Sequence, residues 1–155
     1  MADLVDKLRE RLKGKVLLVG LGNSMRGDDG SGPKIIEMLD GKVKADLLDA
    51  GEVPESYTGR ILAAQADTIL LIDAADFGAA PGDLAILEPE DLTGRTLSTH
   101  QIPLGLLFRY IKEHSHADMF ALGIQPAGTG LGESMSAAVT RSVQCLAEFL
   151  QEVLA

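Results

Sequence analysis

Apolar residues recur at two periods along this chain, and the alternation between them predicts the fold. Leu4, Val5, Leu8 and Leu12 fall at helical spacing, and Gly14 ends that segment. Val16 to Gly20 is a short, wholly apolar run of the kind found in buried strands. A polar, glycine-rich loop from Leu21 to Gly32 follows, and Pro33 opens a helix through about Leu39 that Gly41 closes. Val43 to Leu48 reads as a second strand, leading into Asp49-Ala50-Gly51. Ser56 is an N-cap candidate for a short helix from Tyr57 to Ala64. Thr68 to Ile72 is the third strand and the most continuously apolar one. After a loop from Ala74 to Gly82, Leu84 to Leu87 suits an edge strand. A helix from Pro103 to His114 and a strand from Met119 to Ile124 come next. A last helix runs from about Ser134 to Leu154, with Val139, Val143, Leu146, Leu150 and Leu154 on one face.

Strands alternating with helices predict right-handed βαβ units. The expected class is therefore α/β, three layers, a twisted and mostly parallel sheet with helices on both faces. A length of 155 residues suits a single domain over 1–155. Ligands of such sheets bind outside the carboxyl ends of the strands. The loops after Gly20, Leu48, Ile72 and Ile124 are the places to look.

Charge narrows the partners. The formal net charge of -9 offers no basic stripe for nucleic acid and disfavours anionic lipid. No apolar run approaches the roughly 18 residues of a membrane span. Charges interrupt the first ten residues, so a signal-peptide centre is not expected and a cytoplasmic location is. The single cysteine, Cys145, lies in an apolar helical pattern and reads as a small core or boundary residue without an activating base.

Candidate chemistry gathers at three loops. The first, Gly20-Leu21-Gly22-Asn23-Ser24-Met25-Arg26-Gly27-Asp28-Asp29-Gly30, begins like the dinucleotide fingerprint G-x-G-x-x-G but has Met25 at the third glycine. Asp28 and Asp29 would repel a pyrophosphate where helix N–H groups should attract it. A Rossmann-like nucleotide site, with Asp49 as the ribose acid, is thus a minor alternative. Asp73 ends the third strand, facing the crevice, although an Asp there also suits a turn. Asp76 belongs with the turn. His100 lies in Ser98-Thr99-His100-Gln101-Ile102-Pro103, where Ser98 and Gln101 match a capping box. The positive end of the helix dipole would keep its ring neutral, as a ligand or base requires. His114 and His116 are two apart, share no helix face, and read as solvated. Two carboxylates and an imidazole suit nickel, zinc or iron.

Four ordered stretches then carry a resemblance. They are Gly22-Asn23-Ser24-Met25 with Gly27-Asp28-Asp29-Gly30, Leu71-Ile72-Asp73-Ala74, Ser98 to Leu104, and Gly123-Ile124-Gln125-Pro126. From Val16 onward the chain resembles the maturation endopeptidases of nickel–iron hydrogenases, most closely the type serving formate-hydrogenlyase-like hydrogenases. The resemblance implies removal of a C-terminal extension from the large-subunit precursor after nickel insertion. The nickel is carried by the precursor, and no tightly bound cofactor of the protease's own is implied. The metal-contacting positions carry over to Asp29, Asp73 and His100, which are also the candidate catalytic residues. Physically, the precursor's metal would polarise the scissile carbonyl or activate a water, or Asp29 or Asp73 would instead act as the base. Asp49 ends the second strand in a motif that has neighbouring glycines in the family, one of which is replaced here by Ala50, so no role is carried over to Asp49. A non-enzymatic metal-binding or delivery protein would use the same three residues. We expect a monomer, with all three residues in exposed crevice loops beside an open groove walled by Glu52 to Tyr57.

Overall fold

The computed structural model describes residues 2–92 and 104–155. The capping box and His100 therefore lie outside the described residues, as does Pro103. Helix α1 (Ala2–Arg11) leads into strand β1 (Val16–Leu21), helix α2 (Ser31–Leu39) and strand β2 (Asp46–Gly51). Helix α3 (Thr58–Ala63), strand β3 (Thr68–Ala74) and strand β4 (Leu84–Leu87) follow. Helix α4 (Leu104–His114), strand β5 (Asp118–Ile124) and helix α5 (Ala137–Val153) complete the order.

The five strands form one sheet in the order β2-β1-β3-β5-β4. β2, β1, β3 and β5 are parallel, and β4 joins the edge antiparallel to β5. Successive strand residues face opposite sides, and here both sides are dry. Leu17, Val19, Ile69 and Leu71 pack with Ile61 of α3 and with Leu107, Phe108 and Ile111 of α4. Val16, Leu18, Leu70 and Ile72 pack with α1, α2 and α5, including Leu8, Ile35 and Val143. The expected three-layer α/β architecture is therefore what the chain adopts. Among the described residues, no helix is long and apolar enough to cross a membrane.

Local departures have local causes. The second strand lies three residues later than Val43 to Leu48 suggested, at Asp46–Gly51. Lys44 gives its N–H to the carbonyl of Leu154 at 2.8 Å, so that stretch is tied to the end of α5 and not to the sheet. Ser56 does not cap a helix. Pro54 starts a 3-10 turn through Tyr57, and α3 begins at Thr58, whose hydroxyl donates to the Glu55 carbonyl at 2.7 Å. α5 starts at Ala137 with Ser136 as its N-cap, the hydroxyl accepting from Val139 N–H. Cys145 is exposed on α5, which corrects its placement in the core or at its boundary. The apolar face it interrupts is carried by Val143 and Leu146 on either side.

Candidate functional site

Two glycines decide how the first loop meets the sheet. Gly32, in the first turn of α2, sits against the ends of β1 and β3, where a Cβ would run into the carbonyl oxygens of Ile72 and Leu21. Gly22 has φ +132, a conformation open to glycine and strained for other residues. A Cβ there would collide with the Asp29 carbonyl oxygen and stand 3.5 Å from Asp73 Oδ1. The close approach lays the 3-10 turn Gly27–Gly30 across the carboxyl ends of β1 and β3. The Asp29 backbone carbonyl and the Asp73 side chain, 44 positions apart in the chain, thereby come to the same glycine.

Both carboxyl-bearing residues are completely buried. This corrects the expectation that they stand in exposed crevice loops. The physical reason is the packing just described, because glycine lets the turn settle on the strand ends with no side chain to hold it off. Asp29 Oδ2 accepts the N–H of Asn23 at 2.9 Å. Asn23 in turn bridges outward, its Oδ1 accepting from Met25 N–H at 2.8 Å and its Nδ2 donating to Glu52 at 3.3 Å. Glu52 thus borders the first loop. Pro54, Glu55 and Thr58 turn instead toward α4, where they close a cavity of about 180 Å³ with residues including Leu104, Leu107 and Tyr110. Neither Asp29 nor Asp73 borders that cavity.

The remaining candidates separate clearly. Asp49 is exposed, and its Oδ1 accepts from Gly51 N–H at 3.0 Å, a turn interaction at the end of β2. Asp76 likewise accepts from Gly78 N–H at 3.1 Å, which with the Gln125 amide holds its carboxyl below the usual range. His114 Nδ1 lies 2.9 Å from the Tyr110 carbonyl, and the His116 ring pairs with Asp67 at 3.0 Å. Both rings are exposed at the amino end of β5, away from the carboxylates. Among the described residues, no three His, Cys, Asp or Glu side chains gather closely enough to hold a metal ion.

Asp28 has a role that residue type alone did not reveal. It is 1% exposed and receives four hydrogen bonds. Oδ1 accepts from Ser136 N–H at 2.7 Å. Oδ2 accepts from Ala127 N–H at 2.8 Å, from the Ser136 hydroxyl at 2.9 Å and from Gly128 N–H at 3.3 Å. Burial pushes the carboxyl up, but the Ala127, Ser136 and Gly128 donors outweigh it and hold the group below its ordinary value. Its partners lie about a hundred positions away, so the doubled aspartate was the only visible signal.

The hydrogenase maturation protease family model HycI matches residues 33–153 of the chain. The chain belongs to the hydrogenase maturation protease family. It is 33% identical over 138 residues to the hydrogenase 3 maturation protease of Escherichia coli K12, covering 87% of this chain and 88% of that one. The crystal structure of a [NiFe] hydrogenase maturation protease HycI from Thermococcus kodakarensis superposes with a TM-score of 0.87 at 37% identity, over 96% of this chain and 98% of that one. The solution structure of the endopeptidase HycI from Escherichia coli gives 0.80 at 31% identity, over 90% of each. The resemblance read from four motifs thus holds, and with it the reading as a hydrolase. The buried Asp28 and Asp29 occupy the turn before α2 where a dinucleotide fold would seat its pyrophosphate.

Proposed function

We propose that this protease removes a C-terminal extension from the nickel-loaded large-subunit precursor of a nickel–iron hydrogenase, in the cytoplasm and as a single-domain monomer. Asp29, Asp73 and His100 are the residues assigned to contact the precursor's nickel and the scissile peptide. The observation that carries the assignment is that the turn holding Asp29 and the side chain of Asp73 both close on Gly22 at the carboxyl edge of the sheet, where open α/β sheets place their ligands. Family membership supplies the reaction class.

The chemistry follows from the donor set. Two carboxylates offer oxygen ligands, and an imidazole adds a borderline nitrogen, a combination that accepts nickel. The metal here is part of the substrate. In the hydrolytic step a water oxygen adds to the scissile carbonyl while Asp29 or Asp73 takes the proton. The C–N bond then breaks, and that proton passes to the departing amine. The buried setting of the two carboxylates bears on selectivity. Docking of the precursor must open a path to them, and only a nickel-loaded precursor brings the cation that two carboxylates and an imidazole would bind.

The experiment is to strip the protease with a chelator and mix it separately with nickel-loaded and nickel-free precursor, reading the mass of the large subunit. Cleavage confined to the nickel-loaded sample is expected. Cleavage of the nickel-free precursor, or activity that returns only when zinc is restored to the protease, would overturn the reading in favour of an ordinary zinc peptidase.

A further inference from the structure

Two buried polar side chains outside the carboxylate pair tie the chain next to its members to the segment that follows β5: Asp28 beside Asp29, and Gln125 through the loop that leaves β3 just after Asp73. Asp28 immediately precedes Asp29 in the same 3-10 turn, and its carboxylate is saturated by donors from Ala127, Gly128 and Ser136. Its own N–H donates to the Gly128 carbonyl at 3.0 Å, so backbone and side chain bind the same segment. Gln125, 6% exposed, does the equivalent for the loop that follows β3, the strand that holds Asp73. Its Oε1 accepts from Phe77 N–H at 2.9 Å and from Ala79 N–H at 3.2 Å. Its Nε2 donates to Asp76 Oδ1 at 3.1 Å and to the Pro126 carbonyl at 3.5 Å. Asp76 is the third residue after Asp73. Both loops are therefore registered on one stretch of chain, residues 125–136 behind β5.

We propose that Asp28 and Gln125 are a pair of positioning residues that set the Asp29 carboxylate against the Asp73 carboxylate through the segment following β5. The inference rests on the Asp29–Asp73 site proposed above. Neither Asp28 nor Gln125 reaches substrate, since their polar atoms are spent on the loops. A carboxylate receiving several short charge-assisted bonds is a stiff anchor. The geometry it holds matters because a displacement of about 1 Å among reacting groups costs on the order of a hundredfold in rate.

The test measures cleavage of nickel-loaded large-subunit precursor by Asp28→Asn, Gln125→Leu, the double variant and Asp73→Asn. Each is assayed well below its own melting temperature and normalised to folded protein. For each single variant, kcat should fall by about 10- to 100-fold with KM within about twofold of wild type. The double variant should lose less than the product of the two, because both substitutions loosen one geometry. Ser136→Ala removes the hydroxyl donor to Asp28 together with the α5 N-cap and keeps the backbone donor, so, normalised to folded protein, it gives a smaller fall in kcat, roughly threefold, should the stronger variants not fold. Unchanged kcat per folded molecule, with only a lower melting temperature, would make both residues merely structural and overturn the proposal. Asp73→Asn separates the two readings. If it is inactive while Asp28→Asn and Gln125→Leu cleave normally, the positioning role alone fails. If Asp73→Asn cleaves like wild type, the site itself is wrong and the positioning role goes with it.

Discussion

The backbone N–H of Asn23 donates to Asp29 Oδ2 across 2.9 Å, closing the loop after β1 onto the carboxylate it presents. The bond makes Asp29 both a candidate ligand and a structural acceptor, so the choice of substitution matters. Asp29→Ala would leave the half-buried Asn23 N–H without this acceptor and open a small cavity, a loss of about 1–3 kcal/mol. Asp29→Asn keeps an acceptor oxygen and should cost less. We expect Asp29→Asn and Asp73→Asn each to abolish processing while retaining the fold. Precursor mass and a urea unfolding curve on the same preparation check it, and near-normal processing by either variant at wild-type abundance would count against the shared site.

Gly22 should be the least replaceable glycine of the first loop. Gly22→Ala imposes an unfavourable φ and a collision with the Asp29 carbonyl at once. Strain of this kind costs on the order of 1–3 kcal/mol before the collision is counted. Gly59, exposed in α3 with nothing within 4 Å of its would-be Cβ, is the control. Gly59→Ala should be neutral or stabilising by about 0.5–1 kcal/mol. The prediction fails if thermal melting ranks Gly22→Ala at or above Gly59→Ala.

Cys145→Ala should keep wild-type processing and lie within about 0.5 kcal/mol of wild-type stability, as substitutions away from packed features do. The thiol is exposed on α5, and alkylation with iodoacetamide should be equally silent. Loss of activity in folded Cys145→Ala would revive a thiol mechanism.

Elements whose apolar pattern is set locally were legible from the chain. β1, β3 and β5 read as continuous apolar runs because both faces are covered, and α5 showed its buried stripe from Val139 to Leu154. What escaped depends on distant partners. β2 slid because Lys44 is held by Leu154, on the far side of the chain. Asp29 was placed in the loop before α2 and Asp73 at the carboxyl end of β3, which runs on to Ala74, but their burial follows from how closely Gly32 lets α2 approach Ile72 and Leu21. Glycine content announces such an approach without saying which atoms meet. Asp28 looked like half of an acidic pair, and only the fold brings Ser136 to it.

The acid response of the fold offers a separate check on Asp28. Its folded carboxyl lies below the ordinary value, because the donors of Ala127, Ser136 and Gly128 favour the charged form more than burial disfavours it. In the unfolded chain the group titrates at about 3.9. The unfolded state therefore binds the proton first as pH falls. The stabilisation is full above that value and is lost as pH drops through the folded one. Asp28→Asn removes the charged acceptor and turns an amide toward its donors, so it should be less stable than wild type by about 1–3 kcal/mol at pH 7. The gap between the two proteins should narrow steadily below about pH 4. Urea midpoints at pH 7, 5, 4 and 3 measure it, with the difference between the proteins cancelling the carboxylates they share. A gap that stays constant down to pH 3, or widens, would show that the charge on Asp28 is not what the Ala127–Ser136 segment grips.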